Sequence, residues 1–194
     1  MDHLLGQVTT LTFDVFGTVL DLGNSLSKSL ERFLKGKGPV VDTSELWAQW
    51  RTRQRLEQFQ DSLLMLGHSG YLETCRRALT YCLNDNEIEF ADDEVDEVIG
   101  SFRDLMPFGD AVSGLKRLKG RFKLVALSNG DQWLLEHLVA RQIGLDFDRL
   151  ISVESAGYFK PHPAVYRSAV RLLGADPAEL MMVSSHGFDI VGAR

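Results

Sequence analysis

The hydrophobic and polar positions of this chain follow two patterns. Short runs rich in apolar residues, of the kind that forms buried strands, occur at residues 9–15, 122–127, 150–153 and 180–183. Helical segments separate the last three runs, at residues 132–142 and 163–173, and another precedes the second run, at 111–118. Strands that alternate with helices in this way predict a mainly parallel sheet with helices packed on its faces.

Between the first apolar run and the helix at 111–118 the pattern is helical throughout. Apolar residues recur every three or four positions in four segments, at 25–34, 43–66, 71–83 and 92–106. Thr43 or Ser44 is the expected N-cap of the second segment, and Pro107 stops the fourth. The sequence therefore predicts an α/β protein with a three-layer, Rossmann-like parallel sheet and an inserted all-helical cap. The predicted core comprises residues 1–21 and 109–194, and the predicted cap comprises residues 22–108.

Composition narrows the classes of function. The chain has 194 residues, is 44% hydrophobic and carries a formal net charge of −6, which argues against a general nucleic-acid surface. Cys75 and Cys82 fall in one predicted helix, at a spacing that fits neither a zinc site nor a disulfide framework. No apolar run reaches membrane-spanning length, and Asp2 stands where a signal peptide would be positive. A cytoplasmic protein is the expectation, and a homodimer is one option for an oligomeric state that the sequence leaves open.

Polar residues follow each of the four predicted strands. They are Asp14 and Thr18 after the first strand, Ser128 and Asn129 after the second, Lys160 after the third and Asp189 after the fourth. Because the carboxyl ends of parallel strands meet at one edge of a sheet, we expect these side chains to form one site. Taken singly, each also has a structural explanation: Asp14 could equally cap the next helix, and Lys160 could be a solvated loop lysine.

Four short motifs occupy these strand ends. Phe-Asp-Val-Phe-Gly-Thr spans residues 13–18, Ser-Asn-Gly spans 128–130, Lys-Pro spans 160–161, and the segment after the last strand ends in Asp189. In this order, with a helical insert after the first, they resemble the motifs of the haloacid dehalogenase superfamily. The resemblance covers essentially the whole chain and implies that Asp14 is a nucleophile.

Two positions decide which branch of that superfamily the chain resembles. Phosphatases have a second aspartate two residues after the nucleophile, which protonates the departing alkoxide, and a Mg²⁺-binding carboxylate four residues before the last aspartate. Here these positions hold Phe16 and Ser185. A departing halide needs neither a proton nor a metal, which fits these two replacements. The four motifs resemble those of the (S)-2-haloacid dehalogenases, and this resemblance implies no metal and no cofactor. An atypical phosphatase and a truncated, non-catalytic remnant are the alternatives.

The resemblance implies a covalent mechanism on a short 2-haloacid, the expected small-molecule partner. Asp14 would displace the halide from the α-carbon with inversion, and water would then hydrolyse the resulting ester. Thr18 would orient Asp14, and Lys160 would keep it ionised. Asp189 would position Lys160 or the water.

Further residues are expected to bind the substrate. Arg51, directly after Trp50, is the first choice for a cation facing the halide or the carboxylate, and Arg55 is the second; both could instead belong to a solvated basic helix face. Ser128 and Asn129 would bind the substrate carboxylate or the ester oxygen. The remaining candidates are Tyr166, Ser184 and His186, with an apolar wall of Phe16, Trp50 and Phe188. Tyr166 and the three apolar residues could equally be ordinary core or surface residues.

Three features depart from the resemblance. Many members have tyrosine at the position of Phe16 and asparagine at that of His186, where an imidazole could act as a base, bind the acid group or mark a different substrate. Family members also continue beyond Arg194 with another helix and strand. We therefore expect the 194-residue form to express poorly or to associate, and a sharply melting, soluble monomer would contradict that expectation.

Overall fold

The computed structural model describes residues 6–38 and 41–194, with a four-stranded parallel sheet at its centre. The strands are β1 (Thr10–Phe13), β2 (Lys123–Ser128), β3 (Arg149–Ser152) and β4 (Leu180–Val183). Their order across the sheet is β3-β2-β1-β4, with Phe13 paired to Ala126 on one side and to Val183 on the other. The predicted parallel α/β sheet is confirmed. Because β1 lies between β2 and β4, the carboxyl ends of these three strands converge around residue 14.

Helices alternate with the later strands and fill the long insert after β1. Those of the insert are α1 (Leu22–Leu34), α2 (Thr43–Leu63), α3 (Tyr71–Asp85) and α4 (Asp92–Gly100), which we call the cap helices. Those that accompany the later strands are α5 (Ala111–Lys119), α6 (Gln132–Leu138), α7 (Pro163–Leu173) and α8 (Gly187–Gly192). Within the described ranges, no helix combines the length and the apolar character that a membrane crossing requires.

Both ends of α2 differ from the prediction. Neither Thr43 nor Ser44 is the N-cap, because the Asp42 carboxylate accepts an N–H of the first turn at 2.8 Å. The helix also ends at Leu63 rather than at residue 66, because Met65 adopts a left-handed backbone with φ of 56°.

The start of α1 and the end of α4 also lie away from the predicted positions. α1 begins at Leu22, three residues earlier than expected, because the Asp21 carboxylate accepts the Asn24 N–H at 3.1 Å. α4 ends at Gly100 instead of residue 106, and Ser101–Asp104 continues as a 3-10 helix. The low helix propensity of glycine favours a stop at that residue.

The cap helices pack on one another through their apolar faces. Leu26 and Leu30 of α1, Trp50 of α2 and Leu79 of α3 are almost completely buried in one cluster. The Trp50 indole N–H donates to the Cys75 carbonyl at 2.8 Å, so this side chain belongs to the core between α2 and α3. Burial of each such side chain stabilises the fold by about 1.5–3 kcal/mol.

Hydrogen bonds fasten the cap helices to the loops at the carboxyl edge of the sheet. The Asp131 carboxylate, shortly after β2, accepts the N–H groups of Tyr71 and Leu72 at 2.8 and 3.1 Å, and so caps α3 from outside the insert. The Ser62 hydroxyl of α2 accepts the Phe159 N–H, from the loop after β3, at 3.1 Å. The cap helices therefore lie over the strand ends that carry the predicted site residues.

Candidate active site

Asp14 lies just beyond β1, at the centre of the carboxyl edge, and is 5% exposed. In the tight turn that follows, Gly17 takes a φ of 89° and the Thr18 hydroxyl donates to Asp14 Oδ2 at 2.7 Å. Asp14 does not cap α1, since Asp21 does. Its other oxygen, Oδ1, faces Lys160 Nζ at 3.3 Å. The turn thus holds the carboxylate between a hydroxyl and an ammonium group.

Lys160 is buried between two carboxylates. Its ammonium nitrogen lies 2.9 Å from Asp189 Oδ2 and 3.3 Å from Asp14 Oδ1, and none of the three side chains is more than 7% exposed. The Tyr166 hydroxyl donates to Asp189 Oδ1 at 2.6 Å; burial, and then this carboxylate, raise the pKa of Tyr166. One ammonium group therefore faces two carboxylates.

The loop after β2 contributes Ser128 and Asn129. Ser128 is fully buried, and its hydroxyl accepts the Gly130 N–H at 3.0 Å, which shapes the turn. Asn129 Oδ1 accepts the Lys160 N–H at 2.8 Å, and its Nδ2 donates to Gln58 Oε1 of α2 at 3.1 Å. Asn129 therefore connects the Lys160 loop to a cap helix.

The loop after β4 brings His186 beside Asp14. His186 Nε2 lies 3.1 Å from the Phe16 carbonyl oxygen and 3.9 Å from Asp14 Oδ2. A carbonyl oxygen only accepts, so Nε2 must carry the proton of that hydrogen bond. The Ser184 hydroxyl accepts the His186 N–H at 3.1 Å and so fixes the start of this loop.

These elements enclose a narrow cavity between the sheet edge and the cap helices. Its empty space, together with the open solvent at its mouth, is about 360 Å³. It is lined by Asp14, Phe16, Arg51, Gln54, Arg55, Gln58, Tyr71, Asn129, Lys160, His186 and Phe188. Five residues predicted for the site, and one predicted for the apolar wall, lie behind this lining: Thr18, Trp50, Ser128, Tyr166, Ser184 and Asp189. Thr18 and Asp189 reach it through hydrogen bonds to Asp14 and Lys160.

Two arginines of α2 line the cavity on the cap side. The Arg51 guanidinium donates to Gln54 Oε1, and the Arg55 pKa is lowered by burial and then by Arg51. Within the described part of the chain, neither arginine forms an ion pair with a carboxylate. The cavity thus holds uncompensated positive charge on the wall across from the sheet edge, which suits an anionic ligand.

Three lining residues were not selected from the sequence: Gln54, Gln58 and Tyr71. Gln54 and Gln58 are spaced four residues apart on α2, on the same face as Arg51 and Arg55. This polar stripe is the sequence signal that could have identified them. Tyr71 gave no such signal, because it falls on the apolar side of α3.

Several side chains that could contribute to a metal site are engaged in protein contacts. Ser185, at the position where phosphatases of the superfamily have a carboxylate, donates to the Gly17 carbonyl at 2.7 Å. A second group, formed by His68, Asp131 and Glu154, brings three ligand atoms within 4.8 Å of one another. In that group Asp131 caps α3, and Glu154 accepts a backbone N–H at 3.0 Å, so both carboxylates already have structural partners.

The sequence profile of the haloacid dehalogenase-like hydrolases matches residues 8–194. The chain belongs to this family. Among relatives of this haloacid dehalogenase-like hydrolase, an (S)-2-haloacid dehalogenase from Xanthobacter autotrophicus is 33% identical over 97% of the chain and 72% of the relative. A haloacetate dehalogenase H-2 from Moraxella sp. (strain B) is 30% identical over 97% of the chain and 82% of the relative.

Solved structures agree with this haloacid dehalogenase-like hydrolase over nearly all of its length. The L-2-haloacid dehalogenase from Xanthobacter autotrophicus gives a TM-score of 0.85 at 32% identity, covering 96% of this chain and 73% of that one. A structure of that dehalogenase with chloropropionic acid covalently bound gives a TM-score of 0.82 at 29% identity, with the same coverage. The predicted family and fold class are therefore confirmed.

Proposed function

We propose that this haloacid dehalogenase-like hydrolase cleaves the carbon–halogen bond of short (S)-2-haloacids through an ester on Asp14, and releases 2-hydroxyacids of inverted configuration. Relatives named (S)-2-haloacid dehalogenase support the reaction, and the dehalogenase with covalently bound chloropropionic acid supports the ester. The observation that carries the proposal is a buried carboxylate, Asp14, with a phenyl ring, Phe16, at the position where a phosphatase needs an acid.

Leaving-group chemistry distinguishes cleavage of a carbon–halogen bond from hydrolysis of a phosphoester. An alkoxide leaves a phosphoester readily only when it receives a proton, and Phe16 has no group that could supply one. The Phe16 ring is 4% exposed and stacks on Tyr71, with the ring centroids 4.6 Å apart. A halide leaves as a weak base and needs no proton, and an apolar ring beside the nucleophile is compatible with a halogen substituent.

The reaction balances with water as the only co-reactant. An Asp14 oxygen forms a bond to the α-carbon while the carbon–halogen bond breaks, and the halide takes the bonding electron pair. Water then adds to the carbonyl carbon of the Asp14 ester, and the acyl carbon–oxygen bond breaks. The Asp14 oxygen that attacked the α-carbon leaves as the hydroxyl oxygen of the product. One proton is released when the Asp14 carboxylate is restored.

Positive charge offsets the repulsion between an anionic substrate and the anionic nucleophile. Lys160, 3.3 Å from Asp14, supplies it on the side of the sheet, and Arg51 and Arg55 supply it on the side of the cap helices. Displacement with inversion sends the halide away from Asp14 and therefore towards the cap. We assign Arg51 to the departing halide for this reason, with Arg55 as the adjacent cation.

The residues behind the lining act on those that line the cavity. Thr18 orients Asp14, and Asp189, held by Tyr166, positions the Lys160 ammonium group between the two carboxylates. These are positioning roles, since hydrogen bonds to a nucleophile or its counter-charge fix geometry without touching the substrate.

His186 is proposed as a residue of the substrate-binding pocket rather than as a general base. Its Nε2 carries a proton that is shared with the Phe16 carbonyl, and its Nδ1 lies 3.4 Å from the Ser185 hydroxyl. Nε2, the nitrogen that lies 3.9 Å from Asp14 Oδ2, is therefore not a free acceptor. Asn129 lines the pocket and holds the Lys160 loop, Ser128 shapes the turn that carries Asn129, and Ser184 sets the position of His186.

Halide release decides between this proposal and a phosphatase. Chloride is measured from (S)- and (R)-2-chloropropionate with EDTA present, beside phosphate release from p-nitrophenyl phosphate with Mg²⁺. We expect chloride from the (S) enantiomer only, and none from the isosteric variant Asp14→Asn. Metal-dependent phosphate release without chloride release would overturn the proposal.

Ester trapping separates an enzyme from a non-catalytic relative. The protein is incubated with (S)-2-chloropropionate, the reaction is quenched with acid and the protein is digested. The mass of the peptide that contains Asp14 is then measured by mass spectrometry. An added lactyl mass on that peptide is expected in the wild type and not in Asp14→Asn. A folded sample with neither adduct nor turnover would contradict the proposed mechanism.

We also propose a core of residues 1–21 and 109–194 with a cap of residues 22–108, a cytoplasmic location and a homodimer. Two free, buried cysteines support a reducing compartment.

Four exposed apolar side chains at the end of α2 support association: Leu63, Leu64, Met65 and Leu66, which are 63–83% exposed. Light scattering coupled to size exclusion should give twice the 21.8 kDa chain mass, and a monomer at all concentrations would refute the dimer.

A further inference from the structure

The Tyr71 hydroxyl is a buried donor that lacks a partner. Tyr71 opens α3 and is 2% exposed, and its Oη makes no hydrogen bond with any residue of the ranges 6–38 and 41–194. Its ring is held in place, stacked on Phe16 and edge-on to Phe102 with centroids 6.0 Å apart. A buried hydroxyl left unsatisfied costs about 1–3 kcal/mol, so its retention needs an explanation.

Tyr71 lines the cavity that contains Asp14. Among the lining residues, all of which lie in the described part of the chain, Tyr71 is the one phenol, and Arg51 and Gln54 share its wall. Burial and then the Cys75 thiol raise the pKa of Tyr71, whereas Arg51 lowers it. The group therefore remains an O–H donor at neutral pH.

We propose that the Tyr71 hydroxyl donates a hydrogen bond to the departing halide beside Arg51, and so makes Tyr71 a specificity-determining residue for the leaving group. The inference rests on the proposed dehalogenation. Inversion sends the halide away from Asp14, and the cap wall lies across the cavity from the strand ends. Gln54 Oε1 already accepts from Arg51, so the unsatisfied group on this wall is a donor and matches an anion.

The strength of this hydrogen bond depends on the halide. Chloride concentrates its charge in a smaller volume than bromide and is the stronger acceptor, so loss of the donor should slow chloride departure more than bromide departure. Tyr71→Phe removes only the oxygen and keeps the ring that stacks on Phe16. Because the oxygen has no hydrogen-bond partner among the described residues, its removal should leave the melting temperature unchanged or raise it.

The test compares the wild type, Tyr71→Phe and Tyr81→Phe on (S)-2-chloropropionate and (S)-2-bromopropionate. Tyr81 is a matched control because it lies on the same helix, is 47% exposed and also loses one hydroxyl. The readout is kcat/KM, which reports every step up to halide departure, the first irreversible one. We expect Tyr71→Phe to lower kcat/KM by about tenfold for the chloro substrate and by clearly less for the bromo substrate. Tyr81→Phe should match the wild type on both.

Hydrolysis of the Asp14 ester provides a second readout, since the halide has left before that step. In a single turnover, Tyr71→Phe should hydrolyse the ester at the wild-type rate. An equal loss on both substrates, or no loss on either, would overturn the inference, because the hydroxyl would then act on the carboxylate, on the fold or on nothing. A wild type that releases no halide would overturn the proposed function and this inference with it, whereas unchanged halide selectivity in an active enzyme overturns the inference alone.

Discussion

Replacement of Lys160 by methionine tests the charge balance of the buried cluster. The change removes the ammonium group and keeps most of the apolar stem, so Asp14 and Asp189 remain as two carboxylates with side chains 7% and 0% exposed. We expect Lys160→Met to be inactive. We also expect it to lose about 3–5 kcal/mol of unfolding free energy, as is usual when one partner of a buried ion pair is removed.

The magnitude follows from the distances in the cluster. At an effective dielectric constant of about 20, opposite charges 3.3 and 2.9 Å apart attract by about 5 and about 6 kcal/mol. Burying the ammonium group costs several kcal/mol and offsets part of this attraction, so the net loss is smaller than the two attractions together. Asp14→Asn is the matched control, because it leaves Lys160 and Asp189 as a neutral pair. It should cost clearly less stability than Lys160→Met.

Urea unfolding followed by circular dichroism gives the three free energies of unfolding, and chloride release gives the activities. Both variants should be inactive, so activity does not separate them and stability does. If Lys160→Met proves as stable as the wild type, or no less stable than Asp14→Asn, the reasoning from charge balance is refuted.

Three further predictions concern single contacts. Thr18→Val removes the hydroxyl that donates to Asp14 at 2.7 Å and should lower kcat for halide release by about tenfold, whereas Thr18→Ser should keep most of it; equal rates in both would exclude a role for the hydroxyl. Gly130→Ala would bring a Cβ within 2.2 Å of the Phe16 ring and should cost about 1–3 kcal/mol in urea unfolding, with a raised KM. Burial raises the pKa of Cys82 to about 11, so at pH 8 a thiol reagent should label the native protein far more slowly than the unfolded one; similar rates would contradict this.

The sheet and the residues at its edge could be predicted because their signals are local in the sequence. Each strand is a short apolar run, and a polar motif follows it directly, so parallel topology alone brings the motifs together. The contacts of Lys160 with Asp14 and Asp189, at 3.3 and 2.9 Å, agree with that reasoning across 146 and 29 residues of sequence separation.

The sequence does not reveal which of the predicted residues line the cavity. A shift of one position along the chain decides whether a side chain points into the cavity or away from it. Ser128 and Asn129 are neighbours, yet Ser128 is fully buried behind the turn and Asn129 lines the cavity. Tyr166 was expected to reach the cavity and instead contacts Asp189 from behind, since its direction depends on how α7 packs beside the loop after β4. Pattern alone determines neither of these directions.

The cap wall was harder to predict because a buried polar face and a solvated polar face have the same sequence pattern. Arg51, Gln54, Arg55 and Gln58 recur at helical spacing on α2, as they would on a surface helix. In the structure Gln54 is 2% exposed and Gln58 is 5% exposed, and buried polar groups of this kind require polar partners or a polar cavity. The burial comes from α3, which packs on α2 and is held over the sheet by a carboxylate outside the insert. Which residues form the cap wall therefore depends on a contact far away in the sequence. Burial alone does not identify Tyr71 as a site residue, because a core tyrosine is buried as well. What distinguishes Tyr71 is that its hydroxyl has no hydrogen-bond partner among the described residues.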